Sequence, residues 1–483
     1  MDITTPKTAP ADTPCDLLAI AVAEGAVEQG LRDALGDAAD GFIAAAAAAK
    51  FTGAVGASAT WPTLGLLKAS WLSVVGLGKA DGGADATDGV RRAAGAAGKA
   101  ARSKGAGIIT LALPEGARGE VGAAFEGFSA GNYVFDKYKA AEKRTGPAQL
   151  LQVPGADGAA MAVARAVVEG QTLARDLVNE PAAVIYPESL AAQAEALTHL
   201  GLTVKVLDEV ELKAAGMGGI TAVGQGSARP PRFIHISWTP EGASRSVALV
   251  GKGVTFDAGG LSIKPSSGMQ TMRCDMGGSA TVIGVMRAVA ALKPDVEVHG
   301  VIGAAENMLG GNAFKLGDIL TMYNGKTVEV HNTDAEGRLC LADCLSYVSK
   351  HLDVDECVDI ATLTGAAVVA LGEHYTGLFT NDDALAGALT GHAADAGEGI
   401  WRLPLPEFYR EKLKADWADM KNVGGRPAGS ITAALFLSEF VDGPRWAHLD
   451  IAGPAFSDKP IRHFASGGMG AMVPTLTRWV LGD

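Results

Sequence analysis

Between residues 246 and 453 the chain repeats one pattern: a short, almost unbroken apolar run, then a longer stretch with helical periodicity. SVALVGKGVTF, VEVHGVIGAAE, TVEVHN, ECVDIATL, TGLFTN and WAHLDIAG read as strands, with SATVIGVMRAVAALK, RLCLADCLSYVSKHL and SITAALFLSEFV as helices between them. A strand with one face in water alternates apolar and polar residues, so a run without alternation belongs to a sheet covered on both faces. Helices alternating with the strands supply that cover. The expectation is an α/β fold, with chemistry collected at the carboxyl ends of the strands.

Residues 16–140 alternate in the same way, with DLLAIAV, WLSVVGLG and GIITLAL as strands and GFIAAAAAAK and DGVRRAAGAAGKAARSKG as helices. A chain of 483 residues exceeds one ordinary core, so two domains are expected. The turn-rich KRTGPAQLLQVPGAD marks the boundary, and a long helical stretch follows it as far as Pro181. The expected division is an N-terminal α/β domain over 1–155, a joining helix over 156–180, and a larger α/β domain over 181–483 with a mixed, mainly parallel sheet covered by helices.

Two blocks break the apolar pattern with charge. In EVHNTDAEGRLCLADCL, Asp334, Glu336 and Arg338 stand at the joint between a strand-like and a helix-like run. A turn with an N-cap would account for Asn332, Thr333, Asp334 and Gly337 by themselves. In GKGVTFDAGGLSIKPSSGMQTMRCDMGG, Lys252, Asp257, Lys264 and Asp275 interrupt an apolar, glycine-rich segment. A charge within an apolar strand is expensive unless it is paired or coordinated, and so many in two short blocks argue for a site. Asp257, Asp275, Asp334 and Glu336 supply four negative charges, matching two divalent cations. Cations about 3.5–4 Å apart, bridged by carboxylates, form a hydrolytic arrangement. Oxygen ligands alone would suit magnesium or manganese, whereas a lysine amine among them leans toward zinc, manganese or cobalt. Lys264 and Arg338 remain as cations able to stabilise an oxyanion or hold an anion.

Other chemistries find little support. A net charge of −13 opposes general affinity for nucleic acid or anionic membrane. The basic stripe Arg91, Arg92, Lys99, Arg102 and Lys104 on a helix reads first as a solvated face, with DNA binding as the rival. No apolar run reaches the roughly 18 residues of a membrane span. The cysteines (Cys15, Cys274, Cys340, Cys344, Cys357) are odd in number and form no CxxC pair, so a reducing, cytoplasmic setting is expected, with Cys340 and Cys344 as core thiols. GFSAG around Ser129 matches G-x-S-x-G but lies in a helical stretch, where a nucleophile elbow does not form. GLGKADGG and NGKT lack the glycine spacing of nucleotide-binding loops, and HExxH is absent.

The segments GKGVTFDAGGLSIKP, MRCDMGGSA, HNTDAEGRL, DIATLTGA and WAHLDIAG, with RDLVNEP upstream, resemble the leucyl aminopeptidases of the M17 type over residues 170–483. The resemblance implies a smaller N-terminal and a larger catalytic α/β domain joined by a long helix, usually assembled as a homohexamer that acts on small peptides with a free N-terminus. By position it implies that Asp257 and Glu336 bridge two metals, that Lys252 and Asp275 complete the tighter site, and that Asp334 completes the exchangeable one. Manganese or zinc is implied, with cobalt or magnesium as alternatives in the exchangeable site. Lys264 would polarise the scissile carbonyl, and Arg338 would hold a bicarbonate acting as general base. Met272 and Met469 are expected in the substrate pocket. Ala258, Cys274 and the tail GGMGAMVPTL depart from the commonest family pattern, and the tail bears on side-chain preference.

Overall fold

The computed structural model describes residues 1–79, 84–156 and 161–482. Part of the GLGKADGG stretch (80–83) and the expected start of the joining helix (157–160) lie outside the described residues. The chain forms two compact units. One comprises Met1–Val168 with Ala394–Gly397 and Asp458–Gly467; the other comprises Glu169–Ala393 with Glu398–Ser457 and Gly468–Asp483. The division falls inside the helix Met161–Asn179.

The smaller unit is built on a 6-stranded sheet in the order 2–4, 150–152, 108–112, 17–23, 71–78, 58–62. Every pairing is parallel except that of the edge strand Ser58–Pro62. Leu17–Ala23 shows why the run is continuous: Leu17, Ala19 and Ala21 join one apolar core, while Leu18, Ile20 and Val22 join the other. The helices Ala84–Lys104 and Val121–Asn132 lie in close contact. A Cβ on Gly127 would come 1.9 Å from the Arg91 carbonyl oxygen, and one on Gly131 would come 2.1 Å from that of Gly95. The glycines of GFSAG are therefore packing residues.

The larger unit carries an 8-stranded sheet in the order 399–402, 375–379, 445–450, 356–361, 246–257, 297–307, 232–238, 203–207. Its centre, from Arg445–Asp450 to Glu297–Asn307, is parallel, and antiparallel pairings adjoin it on both sides. Val247 and Leu249 face a core shared with the helices Gly277–Leu292 and Val473–Leu481. Ala248 and Val250 face a second core shared with Gly337–His351 and Gly429–Ser438. Both faces of the strand are covered, and nothing polar is needed on either. The protein is thus a two-domain α/β protein with mixed sheets.

One strand expectation is corrected. Thr327–Glu329 does not enter the large sheet; it forms a separate 3-stranded sheet with Ile319–Thr321 and Met420–Lys421. A hairpin turn over Met322–Gly325, with Gly325 at φ 94°, pairs it locally with Ile319–Thr321. NGKT begins in that turn, so the segment is a hairpin and no phosphate loop. NTDAEGRL thus follows a strand of the small sheet in sequence, yet it packs at the carboxyl ends of the large sheet's central strands, where Asn307 donates to the Thr333 carbonyl oxygen at 3.0 Å and Asp257 meets Asp334 and Glu336.

Candidate metal centre

The parallel centre of the large sheet supplies the first ligand candidates. Ser246–Asp257 carries Lys252 within it and Asp257 at its carboxyl end, 3% and 2% exposed respectively. Asp275 sits on the tight turn Met272–Met276, which leads into the helix Gly277–Leu292. Asp334 and Glu336 come from the loop before Gly337–His351, where Asn332 Oδ1 accepts the Asp334 N–H at 2.9 Å. The turn reading was therefore right locally, but the carboxylates are aimed inward.

Carboxylate oxygens of Asp257, Asp334 and Glu336 all lie within 4.8 Å of one another. Lys252 Nζ sits 2.7 Å from Asp275 Oδ2 and 3.0 Å from Glu336 Oε1, and donates to the Thr362 carbonyl oxygen at 3.0 Å. Lys264 Nζ sits 2.9 Å from Asp257 Oδ2 and 2.7 Å from Asp334 Oδ1. The cluster thus joins all four predicted carboxylates and both lysines. Its open side is at Asp334, whose side chain is 32% exposed against 18% for Lys264.

The electrostatics are those of crowded, deeply buried carboxylates. Burial, reinforced by Glu336, raises the Asp257 carboxyl to about 6 against the pull of the lysines. Burial also pushes Asp275 far above its ordinary range, with Glu336 and Asp257 adding to the effect. Burial pushes Glu336 upward too, but Lys252, a backbone hydrogen bond and Lys264 together hold it below its ordinary value. Its Oε2 is buried without a hydrogen-bond partner. Crowded carboxylates, two lysines that only partly neutralise them and an orphaned ligand oxygen fit divalent cations.

Arg338 lies in the first turn of the helix, 7% exposed. Its Nη1 donates to the Asn422 carbonyl oxygen at 2.8 Å, while Nε is buried without a partner. Burial lowers its pKa to about 10, so it remains a cation at neutral pH. Met272 is part-exposed at the start of the Asp275 turn; Met469 is 4% exposed, its N–H donating to the Ala455 carbonyl oxygen at 3.0 Å.

Several supporting residues escaped the sequence reading. Asn307, fully buried, donates to Asp257 Oδ1 at 2.8 Å and to the Thr333 carbonyl oxygen at 3.0 Å. Asn422, also fully buried, accepts the His331 N–H at 2.8 Å and donates to the Asn332 carbonyl oxygen at 2.7 Å. Thr362 Oγ1 donates to Asp275 Oδ1 at 2.8 Å. A polar residue ending an apolar strand, as Asn307 does, was a readable signal; Asn422 looks like any loop asparagine.

Elsewhere, Ser129 Oγ donates to the Phe125 carbonyl oxygen at 2.7 Å inside its helix, which leaves it with the bond of an ordinary helical serine. The basic stripe is corrected. Arg91 is 2% exposed and donates to the Asp395 carbonyl oxygen at 2.7 Å, and Lys99 donates to that of Arg462 at 2.7 Å. Helix 84–104 is buried along much of its length, so these cations do not form a continuous solvated face. All five cysteines are free, and Cys340 and Cys344 are core residues. Among the described residues, no helix is long and apolar enough to cross a membrane.

Comparison with known proteins matches residues 172–477 to the catalytic domain of the cytosol aminopeptidase family and residues 19–142 to its N-terminal domain. A probable cytosol aminopeptidase of Trichormus variabilis is 43% identical over 479 residues, 97% of each chain. One from Picosynechococcus is 50% identical over 361 residues, 74% of this chain and 73% of the relative. Among solved structures, a mutant tomato leucine aminopeptidase superposes with a TM-score of 0.90 at 34% identity, covering 100% of this chain and 97% of its own. The bottromycin maturation enzyme BotP in complex with Mn gives 0.86 at 36% identity, covering 97% and 99%.

Proposed function

This chain belongs to the M17 cytosol aminopeptidase family and is a metallo-aminopeptidase, and from that premise we propose that it releases apolar residues from the free amino ends of peptides at a two-metal centre. The observation that carries the reading is the convergence of Asp257, Asp334 and Glu336 within 4.8 Å, flanked by Asp275 and two lysines. Asp257 and Glu336 would hold both ions, Asp275 and Lys252 (its ammonium proton displaced by the metal) would complete the tighter position, and Asp334 the exchangeable one. Two cations held there, manganese or zinc with cobalt or magnesium as alternatives in the exchangeable position, would supply Lewis acidity that lowers the pKa of a bound water and polarises the scissile carbonyl.

The remaining work falls to the chain itself. Lys264, paired with carboxylates on two sides, presents a fixed ammonium at the open edge, where oxyanion charge develops on the peptide carbonyl. Arg338, buried with Nε uncommitted, would hold a bicarbonate, which would supply a general base beside the centre. A free amino terminus would enter at Asp334, beside an acidic edge; an acetyl group removes its basic nitrogen and adds bulk. Met272 and Met469 would present soft apolar surface to the first side chain, which favours leucine or methionine. Assembly as a homohexamer and action in the cytoplasm on small peptides complete the proposal.

Turnover of an unblocked leucyl peptide and its N-acetyl counterpart, before and after chelation and with manganese or zinc restored, tests it. Metal-dependent release of leucine from the free peptide alone is expected. Cleavage of the acetylated peptide at a similar rate, or first cuts at internal bonds, would refute the exopeptidase reading.

A further inference from the structure

Thr362 touches two ligand candidates at once: its carbonyl oxygen accepts from Lys252 Nζ at 3.0 Å, and its hydroxyl donates to Asp275 Oδ1 at 2.8 Å. It directly follows the strand Glu356–Ala361, at the point where the sheet has stopped fixing the backbone. Something else must hold the segment 362–364, since a shift of about 1 Å would break both contacts.

Asp450 does so. It ends the neighbouring parallel strand Arg445–Asp450, directly opposite Ala361, and is 1% exposed. Its Oδ1 accepts N–H groups from Leu363 at 3.2 Å, Thr364 at 3.5 Å and Ala452 at 3.1 Å. Its Oδ2 accepts the Thr364 hydroxyl at 2.6 Å. The same hydroxyl accepts the Ala367 N–H at 3.1 Å and so caps the helix Gly365–Leu371. One carboxylate thus ties the end of its own strand, the segment after the adjacent strand and the start of the next helix.

Asp450 makes no ion pair with a lysine or arginine among the described residues; its hydrogen bonds all come from neutral donors, and the Arg338 guanidinium attracts it only at longer range. A carboxylate kept on those terms is costly, and local geometry gives a reason for it: both oxygens are consumed by the segment that places Lys252 and Asp275. We propose that Asp450 is a positioning residue of the metal centre, acting through Thr364 and Thr362 on Lys252 and Asp275. The inference rests on the two-metal reading, and metal binding by the parent protein separates the two.

The test is a manganese titration by calorimetry on chelator-stripped full-length protein, with kcat measured separately at saturating manganese. Asp450→Ala should lower manganese affinity about 10–100-fold, the usual effect of removing a partner behind a ligand. The kcat at saturation should change little, a split that general destabilisation does not produce. Asp450→Asn should stay near the parent, because its oxygen still accepts the backbone N–H groups and its amide can donate to the Thr364 hydroxyl. Asp450→Ala combined with Thr362→Val should lose less than the product of the single losses, since both act on one path. If Asp450→Ala fails to fold, Thr364→Val and Thr364→Ser answer the same question: valine should weaken manganese binding and serine should restore it. Parent-like affinity in both Asp450→Ala and Thr364→Val overturns the proposal, as does a fully multiplicative double variant. A parent that binds no manganese or other divalent ion overturns the two-metal reading and this inference with it.

Discussion

A single methyl group at Gly337 should disable the centre. Gly337 opens the helix Gly337–His351 and is absent from the positive-φ positions, so alanine suits its backbone and, by propensity alone, would stabilise the helix by up to about 1 kcal/mol. The added Cβ, however, would come 2.3 Å from Lys252 Cε, 2.7 Å from Nζ and 2.8 Å from Cδ. Ordinary carbon contacts begin near 3.5 Å, so the lysine must retreat by about 1 Å. A lysine end is usually free to move; this one is 3% exposed and fixed by Asp275, Glu336 and Thr362. Retreat of that size lengthens its 2.7 Å contact beyond hydrogen-bond range. Overpacking of this kind costs about 1–3 kcal/mol, which outweighs the helical gain at most of that range. Gly337→Ala should therefore lower the urea midpoint and weaken manganese binding by at least about tenfold. Gly387→Ala, in the helix Asp383–Ala396 with nothing within 4 Å of its added Cβ, is the control and should be neutral or slightly stabilising. Parent-like stability and manganese affinity in Gly337→Ala would refute the reasoning, because the lysine would then not be held where its contacts place it.

Lys264→Ala and Arg338→Ala should retain metal by elemental analysis while losing rate by about 10²-fold, the scale of one oxyanion donor; a metal-free Lys264→Ala protein would make that lysine a ligand. Asn422→Asp turns the donor facing the Asn332 carbonyl into an acceptor, and should cost about 1–3 kcal/mol in urea unfolding together with much of the activity. His463, 4% exposed, is held neutral well below its usual range by burial first and then by Arg91, Arg462, Lys99 and Arg92. Its folded pKa is depressed, so the unfolded chain binds the extra proton: stability present above about pH 6.5 should fall by up to about 1.4 kcal/mol per pH unit below it. His463→Asn should flatten that part of the urea-midpoint profile, and an unchanged slope would rule the histidine out.

How far the sequence foretold this molecule depends on what kind of information each feature needs. Val247, Ala248, Leu249 and Val250 disclose a sheet covered on both faces because each side chain reports its own burial, and a continuous apolar run has one simple explanation. The ligand candidates were legible for the opposite reason: Lys252 and Asp257 stand where an apolar strand tolerates charge only with compensation. Both inferences are local. The misplacement of Thr327–Glu329 shows where locality ends, since its apolar pattern is right for a strand but says nothing about which sheet it joins; a tight turn and Met420–Lys421, far along the chain, decided that. The basic stripe failed similarly, because Arg91 is drawn inside by Asp395, distant in sequence. Asn422 is the limiting case: it is an ordinary loop asparagine in its own neighbourhood and acquires its role only when Asn332 arrives from elsewhere. Asn307 and Asp450 stand between, since a polar residue ending an apolar strand marks each of them while the partner that gives it a role, Thr333 or Thr364, comes from elsewhere. Positioning residues of this centre should accordingly be sought among buried polar groups whose hydrogen-bond partners lie far away in the chain.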